Sequence, residues 1–310
     1  MGQEVGLMGP HVELENVSKF YEARDKTHAL HEVSFGIDHG EFVTIVGPSG
    51  CGKSTLLKIM AGIDAPTSGE VRFQGGPVRG PHDKISMVFQ GFGLFPWRTV
   101  LENVEYGLEM RKTPKPDRRA RSREYIEMVG LAGYEHMYPK QLSGGMRQRV
   151  GIARALAVEP EVVLMDEAFS AIDEVTADVL REEVADIHKE TGKTFVLVTH
   201  NLSEAIELAD KVVVLSSRPA KVKKILPISL ERPRDRTHSL FVHMHHDILH
   251  LLKEELENTL IRHKLREIRE VQSLHDMEAP KKETPTRERS NSVAAASSPS
   301  KANAIREETI

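Results

Sequence analysis

Apolar and polar residues alternate in two early segments, at Val12, Leu14 and Val17 and again at Val33, Phe35 and Ile37 ahead of Gly40. A period of two puts alternate side chains on one face, so both segments are expected to be half-buried strands of an antiparallel pair. Farther along, alternation gives way to short unbroken apolar runs at 42–46, 87–89, 162–165, 195–198 and 212–215. Runs of this length suit strands covered on both faces, as in a parallel sheet. Helical spacings recur between them: Leu56, Leu57, Ile59 and Met60 within 54–61, and Val179, Leu180, Val184 and Ile187 within 176–189. Strand and helix in alternation predict an α/β domain with a mostly parallel sheet.

Residues 91–142 interrupt this rhythm. Helical spacings over 100–110 and 119–129 flank the breaker-rich Thr113-Pro114-Lys115-Pro116, which predicts an inserted helical subdomain. After about residue 230 the pattern changes to a Pro- and Arg-rich joint. An amphipathic helix carrying Leu249, Leu252, Leu256, Leu260, Leu265 and Ile268 follows, so 231–277 is expected to be a helical extension. Residues 278–310 are Lys, Glu, Pro, Ser, Thr and Ala with almost no large apolar side chain. Such a segment cannot offset its own ordering entropy, and a disordered tail is expected.

Composition narrows the function classes. The 310 residues are 39% hydrophobic, enough for one large core plus an appendage. Cys51, the single cysteine, has no partner within the chain, and no basic stretch followed by an apolar one opens the sequence, so a reducing cytosol is expected. No apolar run approaches the roughly 20 residues that span a bilayer, and mean hydropathy is −0.35. Any membrane role would therefore pass through a partner. A net charge of −4 gives no general attraction to nucleic acid or anionic lipid, so no direct nucleic-acid partner is expected.

The chemistry begins at Gly47-Pro48-Ser49-Gly50-Cys51-Gly52-Lys53-Ser54, which fits the phosphate-loop pattern G-x-x-x-x-G-K-[ST] and is followed by Thr55. It stands between a buried-strand run and a helical pattern, as the mechanism requires. Glycines let successive N–H groups point at phosphate oxygens, and the following helix adds the positive end of its dipole. Lys53 would neutralise the β- and γ-phosphates, and Ser54 would offer a hydroxyl to Mg²⁺. A glycine-rich turn with a solvated lysine is the plainer alternative, and the flanking strand and helix argue against it. A second apolar run ends in Leu164-Met165-Asp166-Glu167. Phosphoryl chemistry needs one carboxylate for hydrated Mg²⁺, which suits Asp166, and one to orient or deprotonate water, which suits Glu167. Alone, such a pair could be a solvated turn; beside a phosphate loop it gains a role.

Upstream of that pair, Leu142-Ser143-Gly144-Gly145-Met146 resembles the signature sequence of the ATP-binding cassette family. Further motifs follow the family's pattern. Gln90 after Met87-Val88-Phe89 resembles the Q-loop, Ser170-Ala171-Ile172-Asp173 the D-loop, and His200 after Leu197-Val198-Thr199 the switch histidine. Tyr21 resembles the aromatic residue on which adenine stacks. Taken singly, Gln90 could be a polar strand end, His200 a loop histidine and Tyr21 a packing residue. Together they span 21–200, and the similarity extends to about residue 230.

The resemblance implies a cassette domain over 1–230 with a P-loop (RecA-like) sheet core, an antiparallel β-subdomain and the helical insert at 91–142. It implies an ATPase that pairs head to tail with a second copy or a homologous subunit, two ATP molecules being sandwiched between them. Each site would join Lys53, Ser54, Gln90, Asp166, Glu167 and His200 of one subunit to Ser143, Gly144 and Gly145 of the other. In that reading Glu167, His200, Gln90 and Lys53 are catalytic, while Ser54, Gln90 and Asp166 hold Mg²⁺. The family's commonest pattern has glutamine at Met146 and leucine at Ile172, changes that remove no phosphate contact.

Phe92, Leu94, Phe95, Pro96 and Trp97 form an apolar cluster in a glycine-rich loop. In transporters of this family that region receives a coupling helix from the membrane subunit, so Phe95 and Trp97 are the expected contacts; packing within the helical insert is the alternative. The run from Leu142 to Asp173 and Phe95-Pro96-Trp97-Arg98 look most like bacterial importers of nitrate, sulfonate and taurine. Separate transmembrane permeases, an extracytoplasmic solute-binding protein and a place at the cytoplasmic face of the membrane follow from that likeness. The competing class is a non-transport cassette acting on nucleic acid or chromosomes, whose long coiled coils, zinc modules or paired cassettes are not seen in this sequence. Finally, His243, His246 and His250 share one helical face, either as solvated residues or as ligands for a transition metal, and removal of everything after Ser229 is expected to leave nucleotide binding intact.

Overall fold

The computed structural model describes residues 9–22 and 27–278. Strands β1 (Val12–Tyr21) and β2 (Thr27–Ile37) form where the sequence alternates. They pair antiparallel, Val12 opposite Ile37 and Leu14 opposite Phe35. A register shift between Leu14 and Val17 surrounds Asn16, whose φ is 50°. One extra residue there resets the pleat, so that Val17 and Val33 are still buried opposite one another. Next come β3 (Phe42–Val46), α1 (Lys53–Met60), β4 (Ser68–Phe73), β5 (Gly76–Pro77) and β6 (Ile85–Val88). The helical stretch holds α2 (Val100–Val104), α3 (Tyr106–Met110) and α4 (Lys115–Met128). The remainder is α5 (Gly144–Ala157), β7 (Val162–Asp166), α6 (Glu174–Thr191), β8 (Thr194–Val198), α7 (Leu202–Leu208), β9 (Lys211–Leu215), β10 (Val222–Pro227) and α8 (Ser239–Glu278).

Two sheets result. The smaller is antiparallel, in the order β2-β1-β4-β5, and the larger has the order β10-β9-β3-β8-β7-β6. From β9 to β6 every pairing is parallel, and β10 joins the β9 edge antiparallel. The apolar runs behave as both-faced strands should. In β7, Val163 and Met165 enter the cluster containing α5 and α6, while Val162 and Leu164 enter the cluster beneath α1 and the antiparallel sheet. The fold is therefore a mixed α/β architecture with a parallel core and an antiparallel annex.

Two local readings are refined. The segment 100–110 is two short helices that meet at Glu105. The breaker Pro116 does not precede α4 but lies in its first turn, where proline's missing N–H leaves no helical bond unmade.

Helix α8 was expected as an appendage, yet its first turns close a third face of the core. Phe241 and Ile248 are buried against Leu202, Ala205 and Ile206 of α7 and Val212 and Val214 of β9. Cutting after Ser229 would strip that face. The chain packs as one unit through His263 and a second beginning at Lys264, whose described part is helical. The tail expected over 278–310 lies, beyond Glu278, outside the described residues.

Replacing Phe241 by Ala should lower unfolding free energy by roughly 3 kcal/mol or more, the usual cost of emptying an aromatic core site. Urea titration reads this directly; a loss below about 1 kcal/mol would mean the extension is not part of the cooperative core.

Candidate functional site

The phosphate loop leaves the buried end of β3 and enters α1 at Gly52, whose φ of 128° only glycine adopts readily. A Cβ on Gly52 would stand 2.9 Å from the Ala29 carbonyl oxygen, so close packing also requires glycine here. Lys53 is buried; its Nζ donates to the carbonyls of Gly47 (2.9 Å) and Pro48 (3.1 Å), curling the loop around the ammonium. Cys51 is buried within the loop, and burial pushes its thiol pKa up, so the residue serves packing and not thiolate chemistry.

Two acids arrive from β7. Asp166 Oδ1 accepts from the Ser54 hydroxyl at 2.9 Å. Burial raises the Asp166 pKa; the Ser54 bond lowers it in part, and the Glu167 charge adds to the rise. A hydroxyl and a carboxylate side by side, with the carboxylate penalised for its charge, are a hard-oxygen pair that a divalent cation such as Mg²⁺ would fit. Glu167 has φ of 46°, a left-handed setting that costs a non-glycine residue on the order of 1 kcal/mol. It is fixed there by its N–H bond to Val198 O (2.9 Å) and by the Ser170 hydroxyl on its own carbonyl (2.9 Å). Its Oε2 accepts from Gln90 Nε2 at 2.9 Å, and His200 Nδ1 lies 3.4 Å from the same oxygen.

The structure thus gathers Lys53, Ser54, Asp166, Glu167, Gln90 and His200, but as two subgroups. Gln90 joins Glu167 and His200, with its amide nitrogen turned to Glu167. Tyr21 stands apart with its ring partly exposed; its hydroxyl donates to Asp64 (2.9 Å) and lies 3.5 Å from the Thr55 hydroxyl, while Lys19 Nζ sits 5.0 Å from the ring centroid. Burial acts to raise the Asp64 carboxyl, but bonds from Lys19 and Tyr21 hold it below its ordinary value. Nothing in the local sequence marks Asp64, whose position after Gly62 looks like an ordinary turn.

Ser143 caps α5, its hydroxyl accepting from Met146 N at 3.2 Å. A Cβ on Gly145 would meet Thr176 Cγ2 at 2.5 Å, so this glycine lets α5 approach the start of α6, whereas one on Gly144 would make only ordinary contact with Ile172 at 3.4 Å. Met146, where glutamine was the expected residue, packs against the first core cluster. Among the described residues, Ser143, Gly144 and Gly145 make no hydrogen bond with the phosphate loop of their own chain.

The 95–98 loop is pinned by buried Asn103, which bonds Phe95 N (2.8 Å), Phe95 O (3.2 Å) and Arg98 O (3.0 Å). Phe95 turns inward onto Tyr106 (centroids 4.5 Å apart), and Trp97 is left 70% exposed. Two of the three histidines singled out in α8 pair with acids, His243 with Asp247 (3.6 Å) and His250 with Glu254 (3.3 Å). Among the described residues no three His, Cys, Asp or Glu are placed to hold a metal without exogenous ligands. Among the described residues no helix is long and apolar enough to cross a membrane.

Comparison with known proteins agrees with the motifs. A family model described as "ABC transporter" matches residues 30–170. An uncharacterized ABC transporter ATP-binding protein of Methanocaldococcus jannaschii is 48% identical over 250 residues, covering 80% of this chain and 94% of that protein. The aliphatic sulfonates import ATP-binding protein of Bacillus licheniformis is 41% identical over 244 residues, 79% of this chain and 93% of its own. Among solved structures, the dimeric post-hydrolysis cassette MJ0796 bound to ADP and Pi superimposes with a TM-score of 0.63 at 36% identity, over 71% of this chain and all of that one.

Next to His200, the Thr199 hydroxyl donates to Glu204 in α7, and Arg181 Nη1 stands 4.0 Å from the other carboxylate oxygen. Burial raises Glu204 from 4.5 to about 7, with Thr199 and Arg181 offsetting only part. A raised folded-state pKa contributes stability that is complete below pH 4.5 and is lost as pH climbs through 7. Glu204→Gln should therefore gain on wild type by on the order of 2 kcal/mol between pH 4.5 and 7.5 in urea unfolding. An unchanged difference across that range would show that Glu204 is ionised throughout.

Proposed function

The chain belongs to the ATP-binding cassette transporter family, and from that premise we propose that it powers a membrane importer for nitrate, sulfonate, taurine or a similar small solute. It is an ATPase of the cassette type. The observation that carries the chemical reading is the meeting of Ser54 with Asp166, and of Gln90 and His200 with Glu167, beside the phosphate loop.

The N–H groups of the 47–54 loop, which only Pro48 lacks, would face the phosphates, with Thr55 next in α1. Lys53 would exchange two neutral carbonyl partners for charged phosphate oxygens, which neutralise its charge and strengthen its hydrogen bonds. Ser54, Asp166 and Gln90 would hold Mg²⁺, which when bound neutralises charge on the β- and γ-phosphate oxygens. Glu167 would take the proton of the attacking water as the water oxygen bonds to the γ-phosphorus and the bond from that phosphorus to the β,γ-bridging oxygen breaks, releasing phosphate and ADP, while His200 orients the carboxylate. The partly exposed Tyr21 ring offers a face for adenine.

Completion of each site from a second subunit explains why the signature makes no bond to the loop of its own chain. Ser143, at the start of a fourteen-residue helix, and Gly144 and Gly145 would close on the γ-phosphate bound opposite. The partner is a second copy or a homologous cassette, arranged head to tail. Trp97, exposed on a loop pinned by Asn103, is the proposed anchor for a separate transmembrane permease, with Phe95 behind it. An extracytoplasmic solute-binding protein would deliver cargo, and the chain would sit peripherally at the cytoplasmic face. The cassette domain is assigned to 1–230, its helical insert to 91–142 and the extension to 231–277.

Glu167→Gln removes the proposed base while keeping an acceptor for Gln90. Steady-state ATP turnover should fall by about 100-fold or more, and the variant should run as an ATP-bound dimer on gel filtration. Normal turnover from a monomeric variant would remove Glu167 from the mechanism.

A further inference from the structure

Arg218 lies in the turn between β9 and β10, far from every recognised motif in sequence, and its guanidinium reaches the phosphate loop. Nε and Nη2 both donate to the carbonyl oxygen of Gly50, at 3.0 and 2.6 Å. A Cβ built on Gly50 would meet Arg218 Nη2 at 3.5 Å and no other atom outside the adjoining chain within 4 Å. This turn also braces the next loop glycine. Ala220 N donates to Ala29 O at 2.9 Å, and that same carbonyl is the atom pressed against Gly52.

The turn is in turn held by the C-terminal helix. Glu255 of α8, only 9% exposed, accepts from Ser217 N (2.9 Å) and the Ser217 hydroxyl (3.0 Å) through Oε2, and from Lys223 Nζ (3.0 Å) through Oε1. A continuous path therefore runs from Glu255 through Ser217 and Arg218 to Gly50.

We propose that Arg218 is a positioning residue for the phosphate loop and that Glu255 of the C-terminal helix holds it in place. This rests on the nucleotide reading given above. Gly50 and Gly52 have φ of 71° and 128°, so the backbone on either side of Cys51 is the part of the loop least restricted by its own side chains. In a planar trans peptide the C=O and N–H point in opposite directions. Anchoring Gly50 O consequently fixes the 50–51 peptide, whose Cys51 N–H here donates to Pro48 O (3.2 Å), and stops it from turning its oxygen toward phosphate. The guanidinium also adds a positive charge one peptide from the anion site, through a charge-assisted bond. On this proposal the helical extension is part of the nucleotide site's support, and its removal after Ser229 would weaken nucleotide binding.

The test is equilibrium binding of ATP and ADP to the full chain, with thermal unfolding measured in parallel. Arg218→Ala should raise Kd for both nucleotides roughly ten-fold, with the midpoint of unfolding shifted by only a few degrees and with KM rising by a larger factor than kcat falls. Arg218→Lys, which keeps the charge and one donor, should recover part of the affinity. Glu255→Ala, or Glu255→Gln should the first fail to fold, should weaken binding several-fold, and the double variant with Arg218→Ala should bind no worse than Arg218→Ala alone. Wild-type affinity in Arg218→Ala, or losses that multiply in the double variant, would overturn the proposal. Lys53→Ala serves as reference: its wild-type affinity would sink the nucleotide reading itself, whereas loss there beside intact binding in Arg218→Ala would sink only the role of Arg218.

Discussion

The parallel pairing of β3 with β8 and of β8 with β7 is the constraint from which the site follows. Ile45 is level with Val198, and Val198 is level with Asp166. Chain leaving these three neighbouring strands supplies the phosphate loop, the 199–200 turn and the Asp166-Glu167 pair, all at one edge of the sheet. Strands stand ~5 Å apart, so groups separated by more than a hundred residues in sequence fall within hydrogen-bonding reach without any long loop. This is the general advantage of the carboxyl edge of a parallel sheet as a binding site. A one-residue slip between β7 and β8 would exchange the faces of Val162 to Met165 and move Asp166 out of level with Val198, so the register of the core sets the geometry of the site.

That edge carries opposing charges which the fold keeps apart. Lys53 is engaged by Gly47 and Pro48 carbonyls, while Asp166 is engaged by Ser54 and Glu167 by Gln90. Each charged group therefore has a neutral polar partner instead of forming a close lysine–carboxylate pair that a ligand would have to break. Exchanging a neutral partner for a charged phosphate oxygen strengthens the bond, whereas breaking a buried ion pair would leave a charge uncompensated.

What could be read from the sequence was local in kind. Alternation in β1 and β2, unbroken apolar runs in β3, β7, β8 and β9, and the glycine-lysine loop each declare themselves within a few residues. Strands β4, β5 and β10 do not: β10 is a half-exposed edge strand whose Val222-Lys223-Lys224-Ile225-Leu226-Pro227 has no clean period. Helix α4 starts earlier than its breakers suggest because proline suits a first turn. The ties of Asp64 to Tyr21 and of Arg218 to Gly50 were illegible for another reason, since they join residues 43 and 168 positions apart with nothing in either local pattern to mark the pairing. The same holds for Phe241, an apolar residue among histidines whose burial depends on where α7 lies.

The Pro- and Arg-rich joint shows how a segment that reads as a linker can be a clasp. Arg234 is half-buried, and its Nη1 donates to the carbonyls of Ile206, Glu207 and Ala209, the unsatisfied acceptors at the end of α7. Burial lowers its pKa to about 10, so it still carries its charge at neutral pH, where the helix dipole favours a cation. On either side Arg232 pairs with Asp210 (2.8 Å), and Arg236 pairs with Glu207 and Asp178 of α7 and α6. Three arginines at alternate positions thus fasten the chain to the helix that follows His200. They also direct it into α8, where Phe241 and Ile248 cover α7 and Glu255 holds the Arg218 turn. A composition that suggests a solvated connector is used here to cap one helix and aim the next, and the nucleotide site is braced from both ends of that path.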